Sequence, residues 1–202
     1  MKTTWDERYR NAEYQYGINP NEFIAEKLRP LKPGRILIPA AGEGRDLVFA
    51  ASLGWEAHGF DLSDQGEAKA LKLARERKVN IHYTCQDAFQ INFPLESFDV
   101  IALSYFHLPP ELRLKFHQKC MSWLKPGGHI ILEGFSKNQL GKNSGGPASA
   151  GRKRGTRGLA ATQSPTAQGH VRLRHRSPHT HSRRGLGHRG IGLRRLAHEG
   201  RT

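Results

Sequence analysis

Between Gly34 and Ser136 short apolar runs alternate with segments of helical spacing, which commits the chain to a sheet of mostly parallel strands flanked by helices. The runs predict strands near Arg35 to Pro39, Glu56 to Leu62, Asn80 to Asp87, Asp99 to Tyr105 and His129 to Phe135. Two of them, Val100 to Leu103 and Ile130 to Leu132, are apolar without alternation, as suits central strands buried on both faces. The intervening segments predict helices over Arg45 to Leu53, Asp64 to Lys78 behind a Ser63 cap, and Pro110 to Leu124. In the second helix Ala68, Leu71 and Ala74 are expected to face the sheet. Ahead of the first strand, Thr3 to Tyr16 and Pro20 to Leu31 read as two more helices.

Composition divides the chain. Of 202 residues, 1 to 142 hold 19 basic and 17 acidic side chains, whereas 143 to 202 hold 13 basic and one acidic. No Phe, Trp or Tyr occurs after Phe135, and the tail shows neither helical nor strand periodicity, so it is expected to stay disordered. This gives a helical segment over 1–33, a sheet domain over 34–142 and a basic tail over 143–202. No run approaches the ~20 apolar residues of a membrane span, and Met1 to Asn11 lacks the core of a signal peptide, so the expected location is cytoplasmic. Cys85 and Cys120 belong to no metal-ligand spacing and read as core thiols, with no metal expected.

Chemistry concentrates at strand ends. Ile36 to Asp46 carries Gly42 and Gly44 at the turn from the first strand into the first sheet-covering helix, where backbone without side chains lets a ligand approach the helix N-terminus. A dinucleotide fingerprint wants a small residue three places after Gly44, where Leu47 stands, and this counts against NAD. Asp61 ends the second strand, where a carboxylate accepts from ribose hydroxyls, and Asp87 ends the third, where it accepts from an exocyclic amine. Each has a plainer reading: the glycines as a tight turn, Asp61 as a helix cap, Asp87 as a partner of its own backbone. Their order along one sheet edge favours the ligand.

On these residues, with Phe98–Asp99–Val100 and Leu124 to Gly128 before the fifth strand, the sequence resembles a class I S-adenosylmethionine-dependent methyltransferase. Trp5 to Tyr9, with Tyr16, Gly17 and Asn19 to Asn21, resembles the lid of the thiopurine and tellurite-resistance type, and the likeness runs to about Pro147. The resemblance implies a three-layer Rossmann-like fold, S-adenosylmethionine as cofactor, and methyl transfer to a thiol, a thiopurine or a tellurium or selenium oxyanion. It implies cofactor contacts at Trp5, Tyr9, Ala40, Gly42, Gly44, Asp61, Leu62, Asp87, Ala88 and Ser104. The common loop has an acid where Ile38 stands and a glycine where Ala40 stands.

Methyl transfer from a sulfonium needs donor and acceptor held in line more than it needs an acid or base. His107, after the fourth strand, is the candidate catalytic base, and equally a cap for the helix beginning at Pro109. Trp5, Tyr9 and Tyr16 are candidates to close over the cofactor, or else core contacts of the lid. In the resembled family a helix and two strands follow the fifth strand. Here the likeness gives way after Pro147 to residues of the kind produced by reading a GC-rich gene out of frame, so the sheet is expected to lack its usual last strands and activity to suffer. The rival reading is a non-catalytic scaffold that holds nucleic-acid phosphates through Arg172, Arg174, Arg176, Arg183, Arg184, Arg194 and Arg195.

Overall fold

The computed structural model describes residues 2–135 and 168–174, with the side chains of residues 3 and 172–174 excepted. Five of its six strands fall where the apolar runs place them: β1 (Arg35–Pro39), β2 (Glu56–Asp61), β3 (His82–Cys85), β4 (Phe98–Ser104) and β5 (Leu124–Phe135). The sixth is β6 (Gln168–Arg174). Helices α1 (Lys2–Tyr9) and α2 (Glu22–Leu28) precede the sheet, and α3 (Arg45–Ser52), α4 (Asp64–Glu76) and α5 (Pro110–Trp123) connect its strands. The strand order is β3-β2-β1-β4-β5-β6, and every pairing is parallel.

Parallel strands need crossovers, and the helices that supply them cover both faces. Ile36, Ile38, Val100 and Ala102 pack on one face with Leu47, Ala50 and the α2 residues Phe23, Ile24 and Leu28. Leu37, Ile101 and Leu103 pack on the other with Phe116, Cys120 and Trp123 of α5. Adjacent residues of β1 and β4 thus enter opposite cores, which is why those strands are apolar throughout.

Several sequence expectations are corrected. α1 stops at Tyr9 rather than Tyr16, with Gly17 in a left-handed turn at φ 71°. α4 buries Gly66, Ala70, Leu73 and Ala74, leaving Ala68 and Leu71 exposed, because the apolar stripe is turned by one to two residues from the expected face. Cys120 is buried as expected, but Cys85 is only half buried, its thiol donating to Leu62 O at 3.3 Å. β5 begins at Leu124, directly on the end of α5.

The largest correction lies in the tail. β6 pairs with β5 from His129↔Gln168 to Phe135↔Arg174, so the chain after Pro147 does contribute a strand. The physical reason is the edge it covers: β5 without a neighbour would leave apolar side chains and a row of backbone donors and acceptors unmatched. Gln168 to Arg174 alternates polar and apolar residues over a stretch short enough to be lost in the surrounding composition. The expected disorder of the remaining tail, and its Arg-rich cluster apart from Arg172 and Arg174, lie outside the described residues.

Candidate active site

All the strands run the same way, so the residues expected to act collect along one edge, where the strands end. Strand order reverses between β1 and β4, and the β1–α3 loop lies at that switch point, where sheets of this kind bind ligands. The loop turns through three left-handed residues, Ala40 (φ 51°), Gly42 (φ 53°) and Gly44 (φ 83°). At Gly44 a Cβ would sit 2.4 Å from Ala70 Cβ, so α4 packs against bare backbone. Ala40 holds a conformation that side chains resist, at the position where the resembled family has glycine.

Asp61 is tied to this loop. Its Oδ2 accepts from Gly42 N at 3.0 Å and its Oδ1 from Ser63 N at 3.1 Å, and burial raises its pKa above the usual carboxylate range. Two phenols converge on Gly42. Tyr83 Oη donates to Gly42 O at 2.7 Å, and Tyr9 Oη lies 2.8 Å from where a Gly42 Cβ would be. Burial raises the pKa of both, so they stay protonated. Trp5 stacks on Tyr9 with ring centroids 5.5 Å apart, which sets it one ring beyond the loop. Tyr16 is exposed, its ring 5.9 Å from the Arg45 guanidinium.

The lid is pinned by residues the sequence reading passed over. Glu43, between the two glycines, accepts from Lys69 Nζ at 2.7 Å and from Gln15 N at 2.8 Å, and Lys69 Nζ also donates to Glu13 O at 2.7 Å. Arg45 donates to Tyr16 O at 3.0 Å. A single acid inside a glycine loop carries no signature of this role, which depends on α4 and the lid meeting there.

A second polar cluster joins α2 to the ends of β4 and β5. Asn21 caps α2, its Oδ1 accepting from Phe23 N at 2.9 Å and Ile24 N at 3.1 Å. Its Nδ2 donates to Glu133 Oε2 at 2.5 Å and to Ser104 Oγ at 3.2 Å, and its backbone N–H to Asp46 Oδ1 at 2.6 Å. Asn21, Asp46 and Glu133 are all buried. Burial raises the Asp46 pKa, and the Glu133 charge adds to the rise. Asn21 belonged to the lid motif in the sequence, but its partners stand 25, 83 and 112 positions away.

The remaining expected residues divide. Leu62 is half buried, its carbonyl accepting from Cys85. Asp87 Oδ1 accepts from Phe89 N at 2.7 Å, the plainer local bond, and leaves one carboxylate oxygen over. Ala88 is buried beside it, its carbonyl within 3.4 Å of Lys119 Nζ. His107 lies past the end of β4 with its ring stacked on Phe135 at 5.3 Å. Desolvation of the ring, with Arg113 nearby, lowers its pKa and keeps it neutral at pH 7. It does not cap α5: the position before that helix is Pro109, which offers no side-chain hydrogen bond.

Residues 36–128 match the family model of a methyltransferase domain. A thiopurine S-methyltransferase from Legionella pneumophila (strain Corby) is 28% identical over 156 residues, covering 67% of this chain and 70% of its own. A probable thiol methyltransferase 2 from Arabidopsis thaliana is 32% identical over 128 residues, covering 58% and 52% respectively. Among solved structures, Haemonchus contortus phosphoethanolamine N-methyltransferase 2 in complex with S-adenosyl-L-methionine superposes with a TM-score of 0.50 at 27% identity. That match covers 64% of this chain and 32% of the other.

Proposed function

We propose that this chain, an S-adenosylmethionine-dependent methyltransferase by its domain and its relatives, delivers the methyl group to a small soft nucleophile: a thiol, a thiopurine, or a tellurium or selenium oxyanion. The observation that carries the reading is the pairing of the Gly42–Gly44 loop with Asp61 under Tyr9.

The residues present fit the cofactor. A buried carboxylate has about four acceptor sites, and Asp61, which takes backbone donors from Gly42, Ser63 and Leu62, keeps capacity for a hydroxyl of the ribose. The Gly42 and Gly44 backbone lets that group approach the start of α3. Asp61, Leu62, Gly42, Gly44 and Ala40 would hold it, with Asp87 and Ala88 at the next strand end and Trp5 and Tyr9 above. When bound, S-adenosylmethionine supplies a methyl group on a sulfonium, whose charge already activates the thioether to leave.

The chain's own part is positioning and exclusion of water. The Glu43–Lys69 pair and the Asn21 cluster tether the lid, which sets Tyr9 against Gly42 with Trp5 stacked on it. Ser104, the last residue of β4, and His107, three residues beyond it, would border the acceptor side. A neutral His107 can take a proton from a thiol at a ring nitrogen, and a thiolate or a chalcogen oxyanion attacks without that help.

Labelled cofactor tested against thiols, thiopurines, tellurite and selenite decides the acceptor. Transfer to at least one of these, lost in Asp61→Ala, is the expected result. Transfer only to amines or RNA would overturn the acceptor class while leaving the cofactor reading intact.

A further inference from the structure

We propose that Glu56, His58 and His82 form a binding site for a borderline-soft divalent cation of the Zn²⁺, Ni²⁺ or Cu²⁺ class, linking β2 to β3 at the opposite end of the strands from the glycine loop. The argument begins with register. His58 of β2 is paired directly with His82 of β3, and Glu56, two residues earlier on β2, shares the face of His58. The imidazoles stack with centroids 4.4 Å apart, and His58 Nε2 lies 2.8 Å from Glu56 Oε1. One ligand atom from each of the three falls within 4.8 Å of the others.

The donor set selects the ion. Two imidazoles and a carboxylate suit zinc, nickel or copper rather than magnesium or calcium, which take oxygen. With metal–ligand distances of about 2.0–2.2 Å, a tetrahedral ion wants ligand atoms about 3.3 Å apart, so modest side-chain rotations close the site and leave one position for water. Glu56 and His82 are exposed, which gives the ion access and the side chains room to turn. His58 is half buried, which holds its ring in place between the two movable ligands.

Arg35 is the competitor. Its Nε donates to Glu56 Oε1 at 3.1 Å, and its Nη2 lies 3.4 Å from His58 Nε2. It keeps two other anchors, Ser97 O at 3.3 Å and the Phe98 ring at 5.2 Å, when Glu56 turns to an ion. The metal would then cross-link two strands already paired, a structural role remote from methyl transfer.

The tail is rich in histidine, so the test must name which rings respond. The full chain, labelled for detection of histidine ring protons, is titrated with Zn²⁺ alone. The expected result is that the His58 and His82 signals move together within the first equivalent. His82→Ala, at an exposed position, should fold normally, weaken that site by tenfold or more, and leave methyl transfer unchanged. The proposal is overturned if those two rings stay still while tail histidines respond, or if His82→Ala titrates like the wild type.

Discussion

The side-chain amide of Asn21, at the start of α2, donates to Glu133 Oε2 at the end of β5 at 2.5 Å, joining the lid to the sheet through two buried groups. Asn21→Ala removes that bond, the bond to Ser104 and the α2 cap in one step. Losing a cap costs about 0.5–2 kcal/mol, and losing the amide's two other side-chain bonds about 0.5–1.5 kcal/mol each. Urea denaturation should show a loss of about 2–4 kcal/mol. A loss below about 1 kcal/mol would mean that the lid is not held through this residue.

Asp46 makes stability depend on pH. Its folded pKa is raised above the unfolded value, mainly by burial, so folding binds a proton between the two values. Stability from this group is therefore complete below the unfolded pKa and declines as pH rises through the folded one. Asp46→Asn carries no charge at any pH. Relative to wild type it should gain stability steadily as pH rises from about 4, and the gain should level off once Asp46 is fully ionised. Denaturation of both proteins across that range checks the slope, and a gain that shrinks with rising pH would reverse the assignment.

Asp61→Ala removes the carboxylate proposed to accept from the ribose. Calorimetric titration with S-adenosylmethionine should show affinity falling by about 10- to 100-fold, the consequence of losing charge-assisted hydrogen bonds worth about 1–3 kcal/mol. Unchanged affinity would take Asp61 out of the site. Tight binding of NAD by the wild type would overturn the cofactor itself.

Two neighbouring loop positions should respond oppositely. Ala40 carries φ 51°, and Ala40→Gly removes that strain at some cost in unfolded-chain entropy, for a net gain of about 0.5–1 kcal/mol. Gly44→Ala combines φ 83° with a Cβ 2.4 Å from Ala70, and should lose about 2–4 kcal/mol. Thermal melts of both variants test the pair. A stabilised Gly44→Ala would mean that α4 can move away from the loop.

Much of the site was legible because its parts are local. A strand followed by a glycine turn and a helix puts Gly42 at a strand end whatever surrounds it, and Asp61 and Asp87 follow from the same arithmetic on the next two strands. The lid aromatics Trp5 and Tyr9 were readable through resemblance; Tyr9 reaches the loop, and Trp5 stacks on Tyr9. The Glu43–Lys69 pair was not, because it depends on how closely α4 and the lid approach.

The sequence by itself determined the order of strands and helices, since apolar runs and their punctuation report burial over five to fifteen residues. It determined which loop residues share one edge, since parallel strands bring their ends together. Only the tertiary structure decided which distant polar groups meet: Asn21 with Glu133 in the interior, and His58 with the exposed His82 across β2 and β3. It also decided that Gln168 to Arg174 pairs beside β5, in a tail that composition marks as unfoldable. Register, crossover and edge pairing are fixed by long-range packing, and a few polar residues scattered through a sequence carry no period that reveals their partners.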